Sequence, residues 1–417
     1  MISVSEQINS YLSEYGKVWP FSGNVLVAKE GEILHRGAYG CANVELQVPN
    51  NAGTRFRIWS VTKSFTAMGV MLLFEQGLLH TANEISSYLP ELELKEITVA
   101  QLLNHTSGLA NYSSMPRYNN RLLRQRMAPE EVLELFIREP LASQPGTSFA
   151  YNNSGYFLLG LLIERLSGMS YREFIHRHIL QPLNMADTGF DDNRTLIPGM
   201  ASSYQSNWDQ LIPCEYMDMS SIATAGSMYS TVDDLYKWDQ ALYTDKLVSP
   251  ETLETVFTPV LGNYGYGWFI DEHLGRSRIH HGGAYRGCRS ELHRYPGEQL
   301  TVIMLTNYDI VPVYPLTERL AGMALGQEVP LPVRPEAVPA DGQIYKDLTG
   351  TYEGYGCRAE VKLDGNQFYF IWNEEQAVPL YPLSETRFHS TWYDWECSFE
   401  RSGQGQITFL GMDKTKE

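Results

Sequence analysis

Ser60 and Lys63 are the residues whose types and spacing first indicate a chemical reaction. They begin an apolar run that predicts a helix to about Gln76, with Gly77 as its C-terminal cap. Residues three apart share a helix face, so the lysine amine can reach the serine hydroxyl. Serine is a strong nucleophile only when a base takes its proton, and a lysine whose pKa is lowered by burial can be that base. Because Ser-x-x-Lys arises by chance about once in a chain of ordinary composition, the interpretation depends on further partners.

A phenol and an amide stand two residues apart at Tyr151 and Asn153, just before a predicted helix at 154–166. A serine acylation site needs a group that hands a proton to the leaving atom and a polar side chain that holds the substrate, and these two residue types supply both. Tyr118 begins a second Tyr-Asn-Asn tripeptide. It lies in the polar, Arg-rich segment 111–128, which the sequence predicts to be an exposed loop or lid, so it ranks second.

His281 and Gly283 lie on a strand predicted at 278–284. Glycines in a strand let a substrate backbone approach closely because no Cβ intervenes. His273 and His280 each begin another His-x-Gly triplet and stay as alternatives. The pattern predicts a strand that forms one wall of a substrate cleft.

Ser-x-x-Lys, Tyr-x-Asn and His-x-Gly, in that order, resemble the motifs of the penicillin-recognising serine hydrolases. The nearest branch contains class C beta-lactamases, D,D-carboxypeptidases, D-aminopeptidases and related esterases. The segments 102–109, 145–156 and 225–235 are also similar to recurrent segments of this family. The resemblance covers residues from about 20 to 310 and rests on three spaced motifs with their flanks.

The resemblance implies a role for each matching catalytic residue. Ser60 matches the acylated nucleophile and Lys63 its general base. Tyr151 matches the residue that shares proton transfer and protonates the leaving group. No metal and no cofactor is implied.

The resemblance also implies the substrate-binding residues. Asn153 matches the side chain that holds the substrate amide, and His281 and Gly283 match the third motif on the sheet strand. The main-chain amides of Ser60 and Ala284 match the oxyanion hole.

Two residues depart from the family pattern. His281 stands where beta-lactamases usually carry lysine, and histidine is mostly neutral near pH 7 whereas lysine is a permanent cation. Arg286 or Arg289 is an alternative cation for a substrate carboxylate. Trp59 precedes the nucleophile, where the family often has a small residue.

The expected function is therefore hydrolysis of an ester, amide or D-amino-acid peptide bond through an acyl-enzyme, with efficient beta-lactam hydrolysis less favoured. Two alternatives remain open at this stage. One is a penicillin-binding sensor without turnover, and the other is an acyltransferase or cyclase in a biosynthetic pathway. The expected partner is a small-molecule or peptide substrate.

The order of predicted elements favours an α+β fold with two domains. Strands at both ends of residues 1–328 predict an antiparallel sheet flanked by helices, with a helical subdomain between them, and the resemblance implies a beta-lactamase-like transpeptidase fold. Residues 329–343 are rich in proline and predict a stiff linker. Residues 344–417 predict a small all-β domain, barrel-like and weakly similar to lipocalin-like domains.

Composition limits the classes of partner. The net charge is −17, which argues against nucleic acid and anionic membranes, since both bind basic surfaces. The five cysteines form no Cys-x-x-Cys pair, and the N-terminus lacks the pattern of a signal peptide, so we expect a cytoplasmic protein. The triplet at 176–178 and the pair His280-His281 lack acidic or cysteine companions at zinc-site spacing, so the sequence favours no metal.

Overall fold

The structure is a computed structural model. It describes residues 2–206, 210–338, 345–354, 357–365, 367–372, 377–390, 394, 396–402, 405–410 and 412–415.

A six-stranded antiparallel sheet organises the large domain. Its strands are β1 Gly23–Lys29, β2 Glu32–Tyr39, β3 Phe269–His273, β4 Arg276–Tyr285, β5 Cys288–Tyr295 and β6 Leu300–Thr306, and their order across the sheet is β3-β4-β5-β6-β1-β2. Because β1 pairs with β6, the sheet joins the two ends of the domain, as the sequence predicts. β4 extends beyond β3, so residues 281–285 form an edge with no partner strand on that side within the described residues.

Helices pack on both faces of the sheet. Their bounds are α1 Val4–Val18, α2 Thr62–Glu75, α3 Val99–Leu103, α4 Pro116–Asn120, α5 Pro129–Phe136, α6 Asn153–Ser167, α7 Tyr171–Ile175, α8 Ala223–Gly226, α9 Val232–Ala241, α10 Pro250–Val256 and α11 Val313–Ala324. Among the described residues, none of these helices has the length and apolar character needed to cross a bilayer.

The two faces of the sheet belong to two different hydrophobic cores. On β1, Val25 and Val27 pack with α1 and α11, whereas Leu26 and Ala28 pack with the helices that include α2. This alternation follows from the period of two in a strand. The predicted pairing of the N-terminal helix with the last helix on one face is confirmed.

Shorter strands lie outside the sheet. They are Cys41–Asn43, Val48–Pro49, Phe56–Arg57, Gly189–Phe190, Tyr204–Ser206, Leu211–Pro213 and Met228–Ser230. Phe56–Arg57 pairs with Met228–Ser230, which fixes the chain just before Ser60.

Segment 111–128 is not the exposed loop or lid that its polar composition suggests. Tyr112, Tyr118 and Leu123 are fully buried, and short helical turns place them in the core that contains α2. The apolar residues are spaced so that each turn buries one side chain while the arginines stay at the surface. Segment 111–128 is therefore amphipathic, although most of its residues are polar.

The C-terminal domain is a closed eight-stranded β-barrel, which confirms the predicted all-β domain. Its strands are Gly350–Gly354, Cys357–Asp364, Gln367–Trp372, Ala377–Pro382, Arg387–His389, Glu396–Arg401, Ile407–Phe409 and Met412–Lys414. Its core is aromatic and includes Tyr352, Phe368 and Phe399.

The connection to the barrel has no helix or strand over residues 329–338, and the rest of the predicted linker, 339–343, lies outside the described residues. Arg334 donates a hydrogen bond to the Val18 carbonyl. Arg319 of α11 pairs with Asp394 of the barrel at 2.9 Å, and it also bonds the Tyr11 hydroxyl at 3.0 Å.

Candidate active site

Ser60 lies on a 3-10 turn, Trp59–Val61, that leads directly into α2. Trp59 has a φ of 45°, in the left-handed region, which costs a residue with a side chain about 1–3 kcal/mol. Its indole is buried and packs edge-on against Tyr285, with ring centroids 5.6 Å apart. The turn therefore holds Ser60 half-buried at the end of a helix whose first three turns are buried on all sides.

Lys63 is fully buried, and its Nζ lies 3.0 Å from Ser60 Oγ. Nζ also donates a hydrogen bond to the Ala225 carbonyl at 3.0 Å. Within the described residues no carboxylate pairs with this amine. Burial lowers the pKa of Lys63 well below its usual value. A neutral amine in this position has a lone pair that can accept the Ser60 proton.

The Tyr151 phenol, the predicted proton donor, lies beside Lys63. Its ring centroid lies 4.8 Å from Lys63 Nζ, and its hydroxyl is buried without a geometrically good hydrogen bond among the described residues. Burial raises the pKa of Tyr151 above its usual range, although the nearby Ser60 hydroxyl lowers it slightly. The phenol is therefore protonated and can donate to a leaving atom.

Asn153 begins α6, but the cap is its neighbour. The Asn152 side chain accepts the Gly155 amide proton at 3.2 Å, so Asn152 is the N-cap residue and not Asn153. Asn153 Nδ2 donates to Ser113 Oγ at 2.8 Å, and its main-chain amide donates to the Asn111 side chain. Its Oδ1 is buried and has no hydrogen-bond partner among the described residues.

His105 braces the loop that carries Tyr151. Its Nδ1 accepts the Asn152 amide proton at 3.1 Å, and its ring centroid lies 4.3 Å from that of Tyr151. Burial, with the nearby Lys63, lowers the pKa of His105 well below its usual value. A neutral imidazole fixed in this way braces the loop.

Gly283 is where β4 comes closest to the nucleophile. A Cβ at this position would lie 2.1 Å from the Ile58 carbonyl oxygen and 2.9 Å from the Ser60 amide nitrogen. Ser290 of β5 donates a hydrogen bond to the same Ile58 carbonyl at 2.8 Å and ties the strand to the turn. Only glycine allows this approach, which brings the Ser60 amide beside the strand that carries Ala284. The assignment of these two amides as an oxyanion hole stays a prediction.

Both ring nitrogens of His281 are engaged inside the protein. Nδ1 lies 2.6 Å from the Gly282 carbonyl, which can only accept, so Nδ1 carries the proton. The Tyr264 hydroxyl lies 3.0 Å from Nε2 and is then the donor to it. Burial lowers the pKa of His281 to about 3, with Lys63 contributing. No motif in the sequence points to Tyr264, whose hydroxyl orients this imidazole.

The predicted site residues Ser60, Tyr151, His281, Gly283 and Ala284 line one cavity of about 630 Å³. The other lining residues are Phe269, His280, Gly282, Arg289, Ser290, Glu291, Pro312, Val313, Tyr314 and Pro315. Lys63 lies directly behind Ser60. Asn153 is held beside Ser113 and is not among the lining residues.

The two alternative cations lie in different places. Arg289 lines the Ser60 cavity, and its Nε donates to the Asp309 carbonyl. Arg286 lines a second cavity of about 320 Å³ beside Trp59 and pairs with Glu215 at 2.5 Å. Of the two, Arg289 is placed to meet a substrate in the Ser60 cavity.

Two of the three competing motifs lie away from the Ser60 cavity. The Tyr118 hydroxyl is buried and bonds Ser221 Oγ at 2.7 Å, away from the cavity lining. His273 bonds the Tyr295 hydroxyl at 2.7 Å near the opposite end of the sheet edge. The structure thus brings Ser60, Lys63 and Tyr151 together and leaves Tyr118 and His273 outside, whereas His280, the third alternative, lines the Ser60 cavity.

A buried lysine against a serine, a protonated phenol and a strand that contains glycines are the parts expected of a serine hydrolase. The chain belongs to the beta-lactamase family, whose family model matches residues 21–321. It is similar to penicillin-binding protein 4* of Bacillus subtilis, with 29% identity over 411 residues that cover 92% of this chain and 91% of the relative.

Two solved structures extend the comparison. The octameric penicillin-binding protein homologue from Pyrococcus abyssi is 25% identical with a TM-score of 0.70, and the match covers 98% of this chain and 99% of that one, barrel included. The D-amino acid amidase from Ochrobactrum anthropi is 22% identical with a TM-score of 0.67, over 77% of this chain and 97% of that one. At 22% identity, the similarity to the amidase shows only that the two proteins share a fold.

Proposed function

We propose that this serine hydrolase cleaves an ester, an amide or a D-amino-acid peptide bond through an acyl-enzyme on Ser60. The observation that carries the proposal is the fully buried Lys63, whose Nζ lies 3.0 Å from Ser60 Oγ with no carboxylate partner among the described residues. A lysine so placed is stable as a free base, which is the form that activates a serine.

The reaction follows from these positions. Lys63 accepts the Ser60 proton while Oγ forms a bond to the substrate carbonyl carbon. The bond from that carbon to the leaving oxygen or nitrogen then breaks, and Tyr151 gives the leaving atom a proton that Lys63 replaces. A water molecule then attacks the carbonyl carbon of the Ser60 ester and gives a proton to the same pair. The bond from that carbon to Ser60 Oγ breaks, Oγ takes the proton back from the pair, and the acid is released.

Esters and amides are favoured over beta-lactams because of the cavity wall. His281 uses both ring nitrogens within the protein, so it offers no cation to a substrate carboxylate. Phe269, Val313 and Tyr314 make much of the remaining wall apolar. A carboxylate-bearing substrate then depends on Arg289. An acyl or leaving group with aromatic or aliphatic character and no carboxylate fits this lining better.

The names of two relatives support penicillin as a ligand of this protein. Penicillin-binding protein 4* and the Pyrococcus abyssi homologue are both described as penicillin-binding proteins or homologues of them. We expect penicillin to acylate Ser60 and to leave slowly, so it serves as a probe and not as the natural substrate.

A substrate panel tests this proposal. It compares kcat/KM for a p-nitrophenyl ester, D-amino-acid amides and a chromogenic cephalosporin, in wild type, Ser60→Ala and the control Ser87→Ala, which changes an exposed serine. We expect the ester or the amides to exceed the cephalosporin at least tenfold, and only Ser60→Ala to lose turnover. A preference for the cephalosporin would refute the substrate assignment. Product analysis with an added amine separates hydrolysis from acyl transfer, and an adduct without turnover would indicate a sensor.

A further inference from the structure

The register of β4 and β5 places three potential metal ligands together. His280 pairs with His293, and Gly282 pairs with Glu291, two residues along the same strands. Positions two apart share a face of the sheet, so His280, Glu291 and His293 all project to the side of α11. Sequence alone gave His280 no acidic companion, because Glu291 and His293 become its neighbours only through strand pairing.

The separations of these groups suit a metal ion. One ligand atom from each of the three residues lies within 4.8 Å of the other two. Glu291 Oε1 is 3.2 Å from His293 Nε2 and 3.5 Å from His280 Nδ1. Zinc bonds of 2.0–2.1 Å in a tetrahedron place neighbouring ligand atoms about 3.3 Å apart. The two separations from Glu291 match this value.

The surroundings provide the outer support that metal-bound histidines require. His280 Nε2, the nitrogen away from Glu291, lies 3.4 Å from Asp271 Oδ2. Arg278 holds that carboxylate with two hydrogen bonds of 2.7 and 2.8 Å. A carboxylate on the second nitrogen fixes the tautomer and the ring orientation of a ligating histidine. Gly282 leaves the space for Glu291, since a Cβ there would lie 2.4 Å from Glu291 Oε2.

The trio also lacks a permanent positive charge. Glu291 is only 4% exposed, and among the described residues its partners are the two histidines. Arg278 is already paired with Asp271 and Glu318. Within the described residues, the Nδ1 atoms of His280 and His293 are buried without a hydrogen-bond partner. A buried carboxylate needs a cation, and either a proton on an imidazole or a metal ion supplies it.

We propose that His280, Glu291 and His293 bind a divalent transition-metal ion, for which zinc has the best-fitting geometry and ligand set. Two histidines and one glutamate leave the fourth position of a tetrahedron open. His280 and Glu291 line the same cavity as Ser60. The fourth position is therefore available to water or to an oxygen atom of a ligand in that cavity. The ion would lie on the face of the sheet opposite to His281 and would add a positive charge to the wall formed by His280 and Glu291.

Metal titration of the full-length chain, prepared without a histidine tag and stripped with a chelator, tests the proposal. We expect calorimetry to find one Zn²⁺ per chain with a Kd at or below about 1 μM, and Co²⁺ to give the visible absorption bands of a tetrahedral site. The variants Glu291→Gln and His293→Gln should each weaken Zn²⁺ binding at least a hundredfold. The control His176→Gln/His178→Gln, which alters histidines outside the trio, should bind as wild type does.

Two results would overturn the assignment. The first is wild-type protein that binds neither Zn²⁺ nor Co²⁺ stoichiometrically, which leaves a protonated imidazole as the counter-charge of Glu291. The second is unchanged Zn²⁺ binding in folded Glu291→Gln and His293→Gln variants. Circular dichroism reports whether each variant is folded. If the variants do not fold, X-ray absorption of the wild-type zinc complex decides. Two imidazole ligands support the site, and fewer than two contradict it.

Discussion

Replacing Gly283 with alanine tests how closely the nucleophile turn and β4 must approach. The added methyl carbon would lie 2.1 Å from the Ile58 carbonyl oxygen and 2.9 Å from the Ser60 amide nitrogen. An ordinary contact of this kind begins near 3.4 Å, so the strand and the turn must separate by about 1.3 Å at the carbonyl. Both contacts are with main chain, so rotation of a side chain cannot relieve them.

This displacement would move the Ser60 main-chain amide, which the proposed oxyanion hole uses. A shift of about 1 Å in a catalytic group can lower the rate about a hundredfold, or about 2.7 kcal/mol of transition-state stabilisation. We expect kcat/KM for an activated ester to fall by about two orders of magnitude in Gly283→Ala. The free energy of unfolding should fall by about 1–3 kcal/mol, the usual penalty for overpacking.

Ester kinetics, with urea unfolding of the same samples, checks both numbers. Gly297→Ala is the matched control, because it lies in the turn Pro296–Glu298 and a Cβ there would meet no atom within 4 Å. It should leave both quantities unchanged. A folded Gly283→Ala enzyme with wild-type kcat/KM would refute the claim that this approach builds the reacting geometry.

Three further changes separate the remaining groups. Lys63→Met should abolish ester turnover and raise the free energy of unfolding by about 1–2 kcal/mol, since a buried amine is lost. In wild type, ester turnover should rise with pH as Lys63 loses its proton. A Lys63→Met variant that keeps this pH profile would exclude Lys63 as the base. Arg289→Gln should slow acylation by penicillin about tenfold, or 1.4 kcal/mol, and leave the turnover of a neutral ester unchanged. Equal losses in both rates would exclude Arg289 from recognition of the penicillin carboxylate. Burial raises the pKa of Asp309 to about 6 from 3.8, so the folded state holds its proton more tightly and the free energy of unfolding falls as pH rises between these values. In urea unfolding, the free energy of unfolding of Asp309→Asn should exceed that of wild type by up to about 3 kcal/mol near pH 7 and match it near pH 3. A difference that does not change with pH would contradict burial of Asp309 as its cause.

Much of the fold is predictable because local patterns agree with it. Apolar residues that alternate or form short runs predict the hairpin at 22–39 and the strands after residue 276, and the structure places these strands in one antiparallel sheet. The sequence indicates strands from residue 264 onward but sets no bounds for Phe269–His273, since only Phe269 and Ile270 are apolar there and alternation is absent. The polar composition of segment 111–128 predicts an exposed loop, but the spacing of its aromatic residues lets short helical turns bury Tyr112 and Tyr118.

The catalytic positions were predictable for a different reason. Ser60 and Lys63 are held together by helix spacing, which the sequence contains, and the resemblance supplied Tyr151. The Ala225 carbonyl and the Tyr264 hydroxyl could not be predicted, because both contacts depend on distant segments of the chain. The cap at Asn152, one residue before the expected position, shows the usual uncertainty at a helix end.

The central claim is that Ser60 carries the acyl group, and intact-mass spectrometry through a reaction time course tests it most directly. With penicillin and with a slowly hydrolysed ester, wild type should gain one acyl mass per chain, and digestion should place that mass on the peptide containing Ser60. Ser60→Ala should gain none and should lose ester turnover by about 10⁴-fold or more, whereas Ser87→Ala should behave as wild type does. An adduct on another residue, or wild-type turnover by Ser60→Ala, would contradict the account.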